Sequence, residues 1–175
     1  MIQNRHIEQD TPLQKVKLDA IDLRILRDLQ DDGRITNVDL AARAGISAPP
    51  CLRRVRALEE AGFIHGYHAE IDGGLMGYKE MFFALVGLDS QSQTVLKGFE
   101  DLMAEWPEVR ECHMVRGGGD FLLKVVARDK EHRDKLTMGI TSADHVTTVT
   151  TLETIRTSKN QPGVPVDPEA ADEED

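Results

Sequence analysis

The stretch SAPPCLRRVRALEEAGFIHGYHAEID, residues 47–72, combines a helix start, an arginine-rich helix and a turn. Ser47 is of a residue type favoured at the N-cap of a helix. Pro49 and Pro50 are tolerated after it, because they lack the N–H groups that would have no partner in the first helical turn. A glycine then ends the helix, and residues 63–72 alternate around a second glycine as a short hairpin or strand does. The stretch therefore predicts a capped helix that carries three arginines and leads into a hairpin.

Two shorter helical patterns precede this stretch. Residues 18–30 place five apolar side chains on one stripe, namely Leu18, Ile21, Ile25, Leu26 and Leu29. Residues 36–45 predict a second helix, with Thr36 as N-cap, Asp39 in a capping box and Gly45 as the stop. Three short helices before a hairpin are typical of a winged helix-turn-helix, in which the third helix reads DNA.

The arginines of the third helix are the candidate readers. At about 100° per residue, Cys51, Leu52, Val55 and Leu58 share one apolar arc. Arg53 lies nearly opposite that arc and Arg54 and Arg56 flank it, so we expect all three guanidinium groups to face outward, where they suit phosphate or guanine. The candidate DNA-binding residues are Ser47, Ala48, Pro49, Pro50, Arg53, Arg54 and Arg56. The alternative is a solvated helix face whose arginines pair with Glu59 and Glu60.

The second half of the chain follows a different pattern. Strands, helices and turns succeed one another from residue 81 as β-α-β-β-α-β, the ferredoxin-like arrangement, with Gly117–Gly119 between the second and third strands. The predicted fold class is α+β, a winged helix-turn-helix followed by this second domain. The predicted boundaries are an N-terminal arm (1–17), a DNA-binding domain (18–68), a linker (69–80), a ferredoxin-like domain for ligand sensing and oligomerisation (81–158) and an acidic disordered tail (159–175).

Net charge does not argue against a DNA partner. The formal charge is −10, but the last ten residues, VDPEAADEED, hold more than half of the excess negative charge. Such a segment has too little apolar content to fold alone. In the rest of the chain the numbers of positive and negative side chains are close enough that one local surface can still be basic.

Several classes of protein do not fit the sequence. No apolar run is long enough to span a bilayer, and the first residues lack the apolar core of a secretory signal. Two cysteines, Cys51 and Cys112, form no disulfide framework, which favours the cytoplasm. We predict no metal site, because His65 and His68 are three residues apart and Cys112 and His113 are adjacent, and on a strand residues at either spacing point to opposite faces. We predict no cofactor either.

Residues 18–155 resemble the Lrp/AsnC family of transcription regulators. The resemblance rests on CLRRVRALEEAGFI, on GYHAEID and on the later GGGDFLLK. It implies a sequence-specific DNA-binding regulator that responds to an amino acid or related metabolite. It also implies a homodimer formed through the C-terminal sheets, assembly of dimers to tetramers or octamers, and ligand binding between them. A twofold dimer favours a near-palindromic promoter site.

Two other functions stay open at this point. Some proteins that resemble this family act as tetrapyrrole (siroheme-type) decarboxylases, and an interaction module whose helix-turn-helix binds protein is a third class. The arginine-bearing helix favours the regulator, because a decarboxylase has no need of a groove-reading face.

The glycine turn is the candidate effector site. Gly117, Gly118 and Gly119 allow backbone N–H groups to approach a carboxylate, and Asp120 can accept hydrogen bonds from an ammonium group. The resemblance extends this site to the last strand, through Thr147, Val149, Thr150 and Thr151. The competing interpretation is that the glycines form an ordinary hairpin turn that Asp120 caps.

One strand pattern bears on assembly. The run MFFALVGL, residues 81–88, is apolar on both faces, so helices on one side of the sheet would leave an apolar face in water. We therefore expect an obligate dimer.

Overall fold

A computed structural model describes residues 17–169, which form two compact units. The first unit comprises residues 17–69 and 161–169, and the second comprises residues 70–160. The predicted N-terminal arm, apart from Lys17, and the last six residues of the predicted tail lie outside the described residues.

Three helices build the first unit: α1 (Ala20–Asp31), α2 (Asn37–Ala44) and α3 (Ala48–Glu60). α1 begins at a complete capping box, in which the Asp19 side chain accepts from the Asp22 N–H and Asp22 accepts from the Asp19 N–H. Thr36 caps α2 as predicted, but the predicted capping box is not completed, because Asp39 accepts from the Thr36 hydroxyl. The core contains the whole predicted stripe of α1 together with residues of the other two helices, among them Leu40, Ala41, Ala44, Cys51 and Leu58.

The predicted hairpin after α3 is wrong for the described chain. Residues 61–79 contain no strand, because an extended segment becomes a strand only when a second segment pairs with it. Side chains hold this segment to the helices instead. Tyr67 packs against Gly33 and donates a hydrogen bond from its hydroxyl to Glu59 on α3 at 3.0 Å.

The acidic tail also differs from its prediction of disorder from residue 159. Residues 161–169 belong to the first unit, where Gln30 of α1 makes two hydrogen bonds to the backbone of Val164. Composition misses this contact because it carries no information about the side chain of α1 that meets the backbone of Val164.

The second unit is a sheet with two helices, in the predicted order. Its elements are β1 (Glu80–Leu88), α4 (Gln93–Ala104), β2 (Val109–Met114), β3 (Phe121–Ala127), α5 (Lys130–Thr141) and β4 (Val146–Glu153). The sheet has the order β2-β3-β1-β4 and all its pairs are antiparallel. The ferredoxin-like fold is therefore confirmed.

Both helices cover the same face of this sheet. Phe99 and Met103 of α4 and Leu136 and Ile140 of α5 pack on a core formed by alternate residues of β1 and β3. The opposite face, here called the open face, carries the intervening residues Met81, Phe83, Leu85, Leu122, Val126 and Leu152. The first five of these are half-buried and Leu152 is 52% exposed, so a largely apolar surface is left uncovered in the single chain.

Within residues 17–169, no helix is long and apolar enough to cross a membrane.

Candidate DNA-binding surface and ligand cleft

The start of α3 presents Ser47 to solvent. Ser47 occupies the N-cap position, but its side chain makes no capping hydrogen bond, which corrects the predicted cap. The cause lies in the sequence, because a cap hydroxyl accepts from the N–H of the second or third helical residue, and those residues are Pro49 and Pro50. The exposed hydroxyl is thereby left available to an external partner. A hydrogen bond of 2.9 Å from the Asn37 side chain to the Ala48 carbonyl fixes this turn on α2.

Arg53 and Arg56 lie on the exposed face of α3, opposite the buried Cys51 and Leu58. This is the arrangement that the helical projection predicts for them. Both guanidinium groups are therefore presented on one side of the helix while the other side packs into the core of the unit.

Arg54 does not follow the prediction that all three guanidinium groups face outward. Its Nη1 lies 2.8 Å from a carboxylate oxygen of Asp19 and 2.7 Å from one of Asp22. Hydrogen bonds to Asp22 and Asp19 raise the pKa of Arg54. Burial raises the pKa of Asp19, but its hydrogen bonds to the Asp22 N–H and to Arg54 outweigh this effect and lower it. Arg54 thus joins α3 to the start of α1.

We expect Arg54→Met to lower the free energy of unfolding by about 1 kcal/mol at pH 7, because both carboxylates lose a partly shielded partner. The Asp19 contribution is present above its unfolded pKa of about 3.9 and disappears as the pH falls through the lower folded value. Urea unfolding at pH 7 and near pH 3 measures both effects. Arg53→Met is the matched control and should leave stability unchanged; equal losses in the two variants would contradict the structural role of Arg54.

Leu52 also departs from the helical projection. The projection places it in the buried arc, yet it is 41% exposed and lies beside Arg53 and Arg56 on the outward face. The arc of α3 that packs against α1 and α2 is therefore narrower than the pattern of apolar residues suggests. An apolar side chain at this position can contact a thymine methyl group.

A cleft of about 560 Å³ lies at the glycine turn of the second unit. Its lining includes all four predicted residues of the turn, Gly117, Gly118, Gly119 and Asp120. It also includes Gln91 and Arg116, which sequence reasoning missed. Arg116 could have been found from its position directly before the glycines, since a cation there suits a ligand carboxylate.

Asp120 is already engaged within the chain. One carboxylate oxygen accepts from the Leu88 N–H at 2.7 Å and the other from the Gln91 side chain at 2.9 Å. Both donors lie outside the glycine turn, at the end of β1 and just after it, so these hydrogen bonds hold Asp120 to β1 and do not cap the turn. A carboxylate has further lone pairs, so these two hydrogen bonds still leave room for an ammonium donor.

Gly119 is required by the packing of the turn. A Cβ atom at this position would lie 2.9 Å from Leu85 Cγ and 3.0 Å from the Val86 carbonyl oxygen. At Gly118 the nearest atom to such a Cβ would be 3.7 Å away, an ordinary contact. The shape of the cleft thus depends on the absence of a side chain at residue 119.

The predicted residues of β4 do not share one surface. Thr150 pairs with Leu85 on the open face, whereas Val149 and Thr151 pair with Val86 and Ala84 on the face covered by helices. The Thr147 hydroxyl donates to the Gly87 carbonyl at 3.0 Å. None of these four β4 residues lines the cleft in the described part of the single chain.

Metal-binding side chains do not cluster in residues 17–169: no group of three or more His, Cys, Asp or Glu residues is placed to hold an ion.

Two family models match the chain. Residues 18–65 match a winged helix-turn-helix DNA-binding domain, and residues 81–164 match the Lrp/AsnC ligand-binding domain. The first match covers α1 to α3, and the second covers the sheet, its helices and the glycine turn.

Curated relatives carry regulator names. The leucine-responsive regulatory protein of Rhizobium meliloti (strain 1021) is 54% identical over 147 residues, which cover 83% of this chain and 94% of the relative. The Bkd operon transcriptional regulator of Pseudomonas aeruginosa is 42% identical over 65% of this chain and 74% of its own.

Solved structures share the fold. An AsnC family transcriptional regulator from Agrobacterium tumefaciens superposes with a TM-score of 0.80 at 31% identity, over 85% of this chain and 97% of its own. A transcriptional regulator from Neisseria meningitidis in complex with L-methionine gives a TM-score of 0.81 at 28% identity, over 86% and 97%.

Proposed function

Since the chain belongs to the Lrp/AsnC family of transcription regulators, we propose that α3 binds the major groove of duplex DNA through Arg53 and Arg56 and that a ligand in the second unit controls this binding. The observation that carries the proposal is the exposure of both arginines on the third helix of a helix-turn-helix. Ser47 supplies a hydroxyl at the helix start, where phosphate is favoured.

Roles at the DNA differ between the arginines. Arg53 reads a base, because a guanidinium group pairs with guanine in bidentate fashion, and Arg56 binds phosphate. Arg54 is left out of the reading face, since Asp19 and Asp22 hold it. Of the residues predicted for DNA binding, Ala48, Pro49 and Pro50 shape the start of the helix.

Selection of binding sites from random duplexes tests the proposed function. A dimer presents two α3 helices, so we expect a near-palindromic consensus whose half-sites lie about one helical turn apart. A selection that enriches no sequence above the starting pool would contradict DNA reading by this chain.

Dimerisation is proposed from the open face of the sheet. A second copy covers its apolar residues in the simplest way. Three polar residues of this face already form a cluster, in which Lys124 lies 2.7 Å from Glu111 and His113 lies 3.1 Å from the same carboxylate. Paired charges cost less to bury than single ones. Further assembly to tetramers or octamers would bring the glycine turns of different dimers together.

The proposed ligand is an amino acid. In this proposal Asp120 accepts from its ammonium group, while Arg116 and the N–H groups of the glycine turn bind its carboxylate; all of these residues line the cleft. The L-methionine complex of the Neisseria meningitidis regulator supports this class of ligand. A ligand alters DNA affinity only if it binds the DNA-competent state and its alternative with different affinities.

We expect Asp120→Asn to weaken amino-acid binding about tenfold or more, because the amide keeps an acceptor for Leu88 but loses the charge that attracts ammonium. Calorimetry with the common amino acids measures this effect. The deaminated analogue of the ligand is the control, and its affinity should not fall in the variant. Equal binding of the amino acid by both proteins would place the ammonium site elsewhere.

A decarboxylase is the alternative of a different class. The relatives matched over most of their length are named as regulators, which supports a DNA-binding role over an enzymatic one. We expect no tetrapyrrole absorption band to remain with the protein after incubation and removal of the unbound tetrapyrrole by desalting. A stoichiometric band would favour the enzyme.

A further inference from the structure

A groove on the first unit holds the C-terminal segment of the chain. The groove lies between α1 and residues 63–68, and residues 162–167 complete the lining of a cavity of about 860 Å³. Its walls include apolar side chains, among them Leu26 and Leu29 of α1 and Phe63 of residues 63–68. Phe63 remains 42% exposed, so the docked segment covers this apolar surface only in part.

The contact with α1 is specific. Gln30 donates from Nε2 to the Val164 carbonyl at 2.9 Å and accepts from the Val164 N–H through Oε1 at 3.3 Å. One side-chain amide thus satisfies both backbone groups of one residue, as a neighbouring strand would. The preceding Gly163 approaches so closely that an added Cβ would overlap Gln30 Oε1, and its φ of +70° suits glycine.

The composition of the segment suits reversible docking. Pro162, Pro165 and Pro168 restrict its backbone, so less conformational entropy is lost when it docks. Val164 is nevertheless 67% exposed. A segment that buries little of itself and leaves a large cavity beneath it is held weakly and is released by local opening.

The docked segment carries negative charge. Asp167 and Glu169 belong to it, and the sequence adds four acidic residues at 172–175, outside the described residues. A unit of this size has a radius of gyration of about 10 Å. The charges of a segment docked on this unit therefore lie within roughly one Debye length of DNA bound to the same unit at low salt, because the Debye length then approaches 30 Å.

We propose that the groove between α1 and residues 63–68 is a docking surface for this chain's own segment 161–169, which holds Asp167 and Glu169 on the DNA-binding unit. The negative charge of this segment and of the acidic residues that follow it in the sequence weakens non-specific DNA binding. The inference rests on the proposed DNA-binding function. It assigns to Gln30 and Gly163 a role in docking and to the six terminal acidic residues a role in electrostatic repulsion of DNA.

Cross-linking tests the docking. His65→Cys and Val164→Cys, both at residues that line the cavity, leave Gln30 in place; they are combined with Cys112→Ser, because Cys112 is exposed and Cys51 is buried, and a short bis-maleimide joins the two thiols. We expect an intrachain product that migrates as a single chain on a denaturing gel. Adding Gly163→Ala should reduce its yield, while Gln161→Ala, the matched control, should not. An interchain product, or no product, would overturn docking of the chain's own segment.

DNA titrations of the full-length protein test the consequence. In the neutral-tail variant each terminal acid is replaced by its amide: Asp167→Asn, Glu169→Gln, Asp172→Asn, Glu173→Gln, Glu174→Gln and Asp175→Asn. We expect it to bind an arbitrary duplex roughly three- to tenfold more tightly at about 20 mM salt and less than about twofold more tightly at 300 mM, because salt screens the repulsion. Gly163→Ala should change affinity in the same direction by a smaller factor.

The outcomes separate this inference from the proposed function. Equal affinity of wild type and neutral-tail variant at low salt would overturn the inference alone. Failure of both to bind any duplex would remove the DNA-binding function and the inference with it, while the cross-link would still report whether the segment docks.

Discussion

Arg53→Ala is expected to lower affinity for the selected duplex by about 1–3 kcal/mol, or roughly 5- to 150-fold, and to relax the preference at one base pair. The reason is the position of Arg53 on the exposed face of α3, opposite the packed side of the helix. Arg56→Ala should instead weaken binding to all duplexes alike and reduce the salt slope by about one. Anisotropy titrations at two salt concentrations distinguish these effects.

Arg24→Ala is the control for the loss of one positive charge. Arg24 is exposed on α1, outside the reading helix. Its replacement should leave the base preference unchanged. If Arg53→Ala and Arg24→Ala gave the same small loss at every duplex, α3 would not be the reader.

Leu152→Asp should dissociate the proposed dimer, weakening association by about 3 kcal/mol or more, or at least a hundredfold, because a buried carboxylate without a partner is costly. Leu152 is 52% exposed on the open face of the single chain, so the substitution costs the isolated fold little. Light scattering at micromolar concentration should give at least twice the chain mass for wild type and the chain mass for the variant.

Met138→Asp is the matched control. Met138 is 69% exposed on α5, on the helical side of the sheet. It should leave the dimer intact. A monomeric wild type, or dissociation by both variants, would contradict an interface at the open face.

The predictions that depend on local pattern agree with the structure. The apolar stripe of residues 18–30 faces the core, Thr36 caps α2, and the β-α-β-β-α-β order is present. These features follow from helical and strand periods and from capping chemistry, which are properties of neighbouring residues. The glycine turn between β2 and β3 is likewise predicted from residues that are neighbours in the sequence.

The errors concern contacts between distant segments. A helical projection places Arg54 outward because it contains no information about Asp19 and Asp22, which lie more than thirty residues earlier. The absence of a hairpin after α3 and the docking of Val164 on Gln30 likewise depend on partners that periodicity does not reveal. The Ser47 cap is different, since the two prolines that prevent it were visible in the sequence.

The grouping of Thr147, Val149, Thr150 and Thr151 shows a further limit. Strand alternation already separates Val149 and Thr151 from Thr150, and the pairing with β1 decides which face each one takes. A site assigned to a whole strand by family resemblance therefore divides into two surfaces once the register is known.

The central claim is that this chain reads DNA sequence through α3. The most direct test is the ratio of its affinities for the selected duplex and for a scrambled duplex of the same composition. Fluorescence anisotropy with wild-type protein at about 150 mM salt measures both affinities under one condition. We predict a ratio of about a thousand or more, the lower end of the range for sequence-specific regulators. A ratio near one would contradict the account.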